Sequence, residues 1–336
     1  MHEALTDGVH PGATGETLPG LVFAFRFTSD GAEELPVEKP IDETPDGWLW
    51  LHFNLADARA CRLIKGGLWL PAVARDLLVS PDEHQQINVS GACLYGVFAD
   101  LVCDLDGLTE EIGFLHFALS DKLLVTGRRR SLSAVNATRK IVHGGASFSS
   151  PAALLQALIE QVVDSIDRYA DDAAAKLDRI EEKIVADDVY EGRRVLGRIR
   201  RATVRLHRQL VIFRALLHRF ELDLAGKLTL DLAPARLGQR IEWLDAEIVS
   251  LRDRAHLLQE EVTMKTAEQT NRNLHVLAVV TTLFMPASLI AGIFGMNVGG
   301  LPFVQDSNGF WWAMAIVAVA SAIVLWLLKR SGILKH

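Results

Sequence analysis

Two uninterrupted apolar runs near the C-terminus constrain this chain more than any other feature. Leu274 to Phe294 is 21 residues and Phe310 to Leu328 is 19, and neither contains Asp, Glu, Lys or Arg. A hydrocarbon layer about 30 Å thick is crossed by about 20 helical residues. A buried core hairpin is the competing explanation, but both runs exceed ordinary core helices and are apolar nearly all round. Two membrane spans, 274–294 and 310–328, are therefore expected within a segment covering 271–330. The whole-chain mean hydropathy of +0.18 conceals this asymmetry, because the sequence before Leu274 reads as water-soluble.

Charge around the spans sets an expected orientation. The 15 residues Gly295 to Gly309 carry no Lys or Arg and one acid, Asp306, whereas Lys265, Arg272, Lys329, Arg330 and Lys335 flank the far ends. The positive-inside rule then places both termini in the cytoplasm. Residues 1–20, rich in Gly, Thr and Pro, lack the basic and apolar stretches of a secretory signal and read as a flexible tail. A short cytoplasmic tail, 331–336, closes the chain.

Residues 21–146 read as one cytoplasmic α/β domain. Val22 to Phe27, Trp48 to Phe53, Cys93 to Val102, Ile112 to Ala118 and Lys122 to Thr126 are strand-like, and 57–80 suits short helices. The three cysteines, Cys61, Cys93 and Cys103, form no CxxC pair and read as reduced thiols. The net charge of −7 excludes an overall basic nucleic-acid binder, and the one basic cluster, Arg193 to Arg219, lies on a helical pattern that also carries apolar residues.

Residues 147–270 change period to a helical hairpin and stalk. Leu155, Ile159, Val162, Ile166, Tyr169 and Ala173 recur three or four apart, with Pro151 suited to a first helical turn. Acidic residues such as Asp171, Glu181 and Asp187 decorate this helix. They are read as a solvated face, with metal sensing as the alternative. A basic helix follows from about Gly192. Leu237, Ile241, Leu244, Ile248, Leu251, Ala255, Leu258 and Val262 then form a heptad seam. No Pro or Gly lies between Gln239 and Met285, so one helix of about 87 Å is expected from Leu237 to Phe294.

A second stripe starts at the membrane: Asn271, Leu274, Ala278, Thr281, Met285, Ser288 and Gly292. Its nine-residue offset from Val262 rotates it about half a turn from the seam. Five of its seven positions are polar or small, and the second span has no counterpart. A polar stripe in hydrocarbon requires partners or water. Helix–helix packing and the lining of an aqueous path are both open on pattern alone. Two spans cannot enclose a path, so lining requires an oligomer. Leu274, Leu277 and Met285 are candidate apolar gates. Pro286 removes the donor for the Thr282 carbonyl.

Gly295-Met296-Asn297 closes the first span, after Phe284-Met285-Pro286 and Ile290-Ala291-Gly292-Ile293-Phe294. This arrangement resembles the CorA family of metal ion transporters, closely over 271–297 and loosely over the rest. The resemblance implies a funnel-shaped homopentamer in the cell inner membrane. Its first spans would line a central pore, with Gly295, Met296 and Asn297 as the outer selectivity loop. Asn297 would meet a hydrated divalent cation through side-chain oxygens. The glycine-rich continuation to Pro302 and the stretch Arg205 to Leu210 are most like the zinc-transporting ZntB branch. The expected cargo is accordingly Zn2+, with Mg2+, Co2+, Ni2+ and Cd2+ as other possibilities and no resident cofactor. The expected partners are further copies of the chain, the lipid bilayer and the cation, with no nucleic acid. A membrane-anchored signalling receptor is the different-class alternative, and 15 external residues are few for a sensor. No P-loop, HExxH or GxSxG in context marks an enzyme.

Overall fold

The computed structural model describes residues 18–38, 47–104, 107–186, 192–224, 234–296 and 308–330. Asn297, Asp187, Asp306 and the tails 1–17 and 331–336 lie outside the described residues. The chain divides into two units, Met1–Gln259 and Glu260–His336.

The first unit is built on seven strands: β1 Leu21–Thr28, β2 Gly31–Leu35, β3 Trp48–Asn54, β4 Gln86–Ser90, β5 Cys93–Asp104, β6 Gly107–Ser120 and β7 Leu123–Arg128. They lie in the order β2-β1-β3-β7-β6-β5-β4. All pairings are antiparallel except β3 with β7. Chain alternation divides β3 between two layers. Leu49, Leu51 and Phe53 join Ile64 of α1 (Ala58–Gly67) and Leu78 of α2 (Ala72–Val79) in one core. Trp50 and His52 face the opposite side, where Phe23 and Phe25 contact them. There Arg139 of α3 (Ser133–His143) lies 4.8 Å over the Phe23 ring. Helices on both faces explain why β3 is buried from Trp48 to Phe53.

Two polar networks are buried in this unit. Thr126 Oγ1 accepts from Trp50 Nε1 at 2.9 Å and lies 2.8 Å from His52 Nδ1. Arg128 Nε donates to His52 Nε2 at 3.0 Å, which leaves the His52 proton on Nδ1 to donate to Thr126. Burial, reinforced by Arg128 and Arg139, holds the His52 pKa well below the ordinary value. In the second network, Asp100 on β5 accepts from Leu101 N at 2.7 Å, Ala134 N at 2.8 Å and Ser165 Oγ at 3.2 Å. It therefore caps the start of α3 and holds α4 (Pro151–Val185). Its carboxyl is fully buried, and desolvation raises its pKa to about 7 despite these donors.

Three long helices complete the unit. The α4 N-cap is Ser150, whose Oγ accepts from Ala153 N at 3.2 Å, with Pro151 in the first turn. Leu155, Ile159, Val162, Ile166, Tyr169 and Ala173 are all buried. The part of α6 (Pro234–Phe294) that belongs to this unit is linked by charge to α4 and to α5 (Gly192–Leu224). Arg240 pairs with Asp164 at 2.6 Å, and Arg254 with Asp178 at 2.7 Å and with Glu181. Glu181 of the acidic set is thus arginine-paired, as is its neighbour Asp178. The α6 seam from Leu237 to Val262 is buried throughout. Each buried Leu or Ile side chain contributes about 1.5–3 kcal/mol.

Candidate ion path on the first apolar helix

α6 remains one helix of 61 residues through Pro286 to Phe294. A second apolar helix, α7, spans Gly309–Arg330. Both are long and apolar enough to cross a membrane, and neither apolar window is buried within the chain.

All seven residues of the membrane stripe fall on α6 and all are exposed. On an ideal helix they occupy an arc of about 100°. Leu277 lies about 20° beyond the edge of that arc. Leu274, Leu277 and Met285 are among the large exposed apolar side chains. Thr281 and Thr282 satisfy their hydroxyls locally, donating to Leu277 O at 2.8 Å and Ala278 O at 2.7 Å. The second bond lies one turn before Pro286, next to the carbonyl that the proline leaves without its usual donor. Asn271 and Ser288 form no side-chain hydrogen bond among the described residues. A single copy therefore turns an amide and a hydroxyl outward from an apolar helix. That arrangement is costly in lipid and stable against water or another polar surface.

The helix ends at the predicted selectivity loop. Gly295 N donates to Ala291 O at 2.9 Å and Met296 N to Ile293 O at 3.3 Å. A Cβ added at Gly295 would lie 3.1 Å from the Ala291 carbonyl oxygen, so a side chain there would crowd the last turn. Asn297, the residue expected to meet the cation, lies outside the described residues. The start of α7 is closed by Asn308, whose carbonyl accepts from Trp311 N at 3.0 Å and Trp312 N at 3.2 Å. At its other end Arg330 stacks 5.2 Å over the Trp326 ring, an arrangement suited to an interface.

A family model described as CorA-like Mg2+ transporter protein matches residues 45–330. The chain belongs to the CorA family. This is a family of ion transporters rather than enzymes, and the two apolar helices are its membrane spans. The chain is 26% identical to the divalent cation transporter CmaX of Pseudomonas aeruginosa, over 86% of this chain and 89% of that one. It is 22% identical to the zinc transport protein ZntB of Pectobacterium atrosepticum, over 84% and 86%. The solved full-length CmaX structure superposes with a TM-score of 0.69 at 22% identity, covering 94% of this chain and 99% of that one. This CorA-family fold therefore comprises a sheet-containing N-terminal domain, a long helix and two apolar C-terminal helices.

Reading the sequence did not find Asp100 or the network around His52. Their partners come from strands and helices far apart in the chain, and neither residue stands in a recognisable motif.

Proposed function

We propose that this protein carries divalent cations, Zn2+ foremost, along a central path made by five copies of α6. The observation that carries this reading is the exposed stripe from Asn271 to Gly292, with unpartnered polar groups at Asn271 and Ser288 among the described residues. Turning those groups toward a shared aqueous axis removes the cost of facing them to lipid. Asn297 would form the outer ring, with Gly295 and Met296 in the same loop. Neutral oxygen dipoles attract a hydrated cation without trapping it, as conduction requires. Ser288 would form the next polar ring and Asn271 the inner one. Leu274, Leu277 and Met285 narrow the path between them.

The lack of Lys and Arg in residues 295–309, against the basic flanks, supports cytoplasmic termini in an inner membrane. Zinc is favoured by the glycine-rich continuation after Asn297 and by the relatives named for zinc transport. A magnesium or cobalt cargo is the second reading, favoured by the description of the family model. Dye-monitored flux of Zn2+, Mg2+ and Co2+ into proteoliposomes separates the two. Asn297→Ala is expected to lose most flux while still assembling, and undiminished flux in that variant would remove the outer ring from the mechanism.

A further inference from the structure

The first unit leaves two long helix faces bare, and they complement one another. On α5, Arg194, Arg201 and Arg208 recur every seven residues, with Val204 between the last two and Val211 three residues beyond. This face lies opposite the helix's buried seam by about 170°. The three arginines have no ion pair or hydrogen bond among the described residues. Val204 and Val211 are 41% and 40% exposed. α5 as a whole carries nine Arg against two acids, so the helix does not neutralise itself. On α6, Trp243, Ser250 and Leu257 repeat with the same period, with Ala246 and Asp253 between them. That face too lies opposite its seam. Trp243 and Leu257 are each 64% exposed, and Asp253, with 61% of its side chain exposed, pairs with its sequence neighbour Arg252.

We propose that the α5 stripe of one copy packs against the α6 stripe of the next, forming a repeating interface between subunits. The two helices run antiparallel, and their contacts within one chain fix relative heights. Arg200 reaches Gln259 at 3.4 Å, His207 reaches Asp245 at 2.6 Å and Arg214 reaches Glu242 at 3.3 Å. Between these marks, Arg201 stands level with Asp253 and Leu257, Val204 with Asp253, and Val211 with Trp243. Rotation about an axis parallel to the helices leaves height unchanged. A cyclic assembly therefore brings the Arg201 guanidinium to the Asp253 carboxylate and Val211 to the Trp243 ring. Two different patches make a heterologous contact, which builds a ring where its rotation closes and never a two-fold dimer. The inference rests on the reading that copies surround an axis along α6, and it identifies which surfaces hold them together.

The test uses the full chain in detergent, followed by mass photometry on dilution. Arg201→Glu and Asp253→Arg should each raise the concentration for half-assembly about fivefold per contact. Combining the two should restore most of the loss. In a chain with Cys61→Ser and Cys103→Ser, the pair Arg201→Cys and Asp253→Cys should give an oxidised ladder of covalent multimers. Single reversals that leave assembly unchanged would mean that the α5 arginines serve another partner, anionic lipid included, and would overturn the proposal. So would a combined variant no better than either single, or cysteines that never bridge copies. Zn2+ flux of the unaltered chain, measured in parallel, reports on the pore reading separately: a conducting, assembled protein with an unaffected charge swap sinks the interface alone.

Discussion

The substitution Asp100→Asn should flatten part of the protein's stability profile between pH 4 and pH 8. The Asp100 carboxyl is buried among β5, the start of α3 and α4. Leu101 N, Ala134 N and Ser165 Oγ point at it, and Arg168 of α4 is the nearby charge that favours ionisation. Desolvation outweighs these and lifts its pKa from 3.8 to about 7. The native state therefore holds a proton that the unfolded chain releases near pH 4. Between those limits stability falls as pH rises, by a total of about 4 kcal/mol from this one group. The neutral form is accommodated because a proton on Oδ1 can be donated to Ser165 Oγ, whose own hydrogen turns to Val162 O, 2.8 Å away. An amide in place of this carboxyl would keep one acceptor but would turn an NH2 toward another donor, which costs about 1–3 kcal/mol at every pH. The constant loss and the pH-dependent term separate when the variant is subtracted from the parent across pH, because other titrating groups cancel. The variant should be less stable at pH 4. The gap should reverse by pH 8, a relative change in melting temperature of about 8–16 °C. Near-UV circular dichroism of the full chain, in one detergent throughout, reads that difference. Parallel melting profiles from pH 4 to pH 8 would refute the account of a proton held by burial.

Other consequences are equally direct. Thr126→Val keeps shape but leaves Trp50 Nε1–H and the His52 ring without their shared acceptor, so thermal denaturation should show a loss of about 3 kcal/mol. Leu274→Ser or Met285→Ser should increase ion leak in proteoliposomes if that ring closes the path, and an unchanged leak removes the residue as a gate. Ser150→Ala removes the α4 cap and should cost about 1 kcal/mol in the same melting assay, with transport preserved.

The parts of the fold legible in the sequence are those where burial writes a period. Leu155 to Ala173 on α4 and Leu237 to Val262 on α6 repeat at helical spacing because each packs a continuous seam, and the seam residues named for both helices are buried. The central strands are visible through their aromatic and β-branched runs. The strands at the two edges of the sheet are not. β2 is Gly-Ala-Glu-Glu-Leu with only Leu35 buried, and β4 is Gln-Ile-Asn-Val-Ser with no fully buried residue. An edge strand packs little apolar surface, so it leaves little pattern. α3 escapes a sequence reading too: its first turn is capped from Asp100, 34 positions away, not by a local Ser or Asp. The described part of the candidate path is readable from spacing alone, since an arc on one helix needs only the helical period.

What spacing does not reveal is which exposed stripe meets water and which meets protein. α6 supplies both kinds. Asn271, Ala278, Thr281, Ser288 and Gly292 are small or polar, and a helix loses little by leaving such residues beside water. Trp243 and Leu257 are large and apolar, and keeping both wet sacrifices about 1.5–3 kcal/mol each. A face that keeps large apolar residues two heptads apart is therefore stabilised by being covered, and a face that places small and polar groups at heptad spacing tolerates solvent. By this criterion the membrane stripe suits a path and the Trp243 stripe suits a joint between copies, although both repeat every seven residues. The distinction is one of side-chain volume and transfer energy, which is why periodicity alone leaves it undecided.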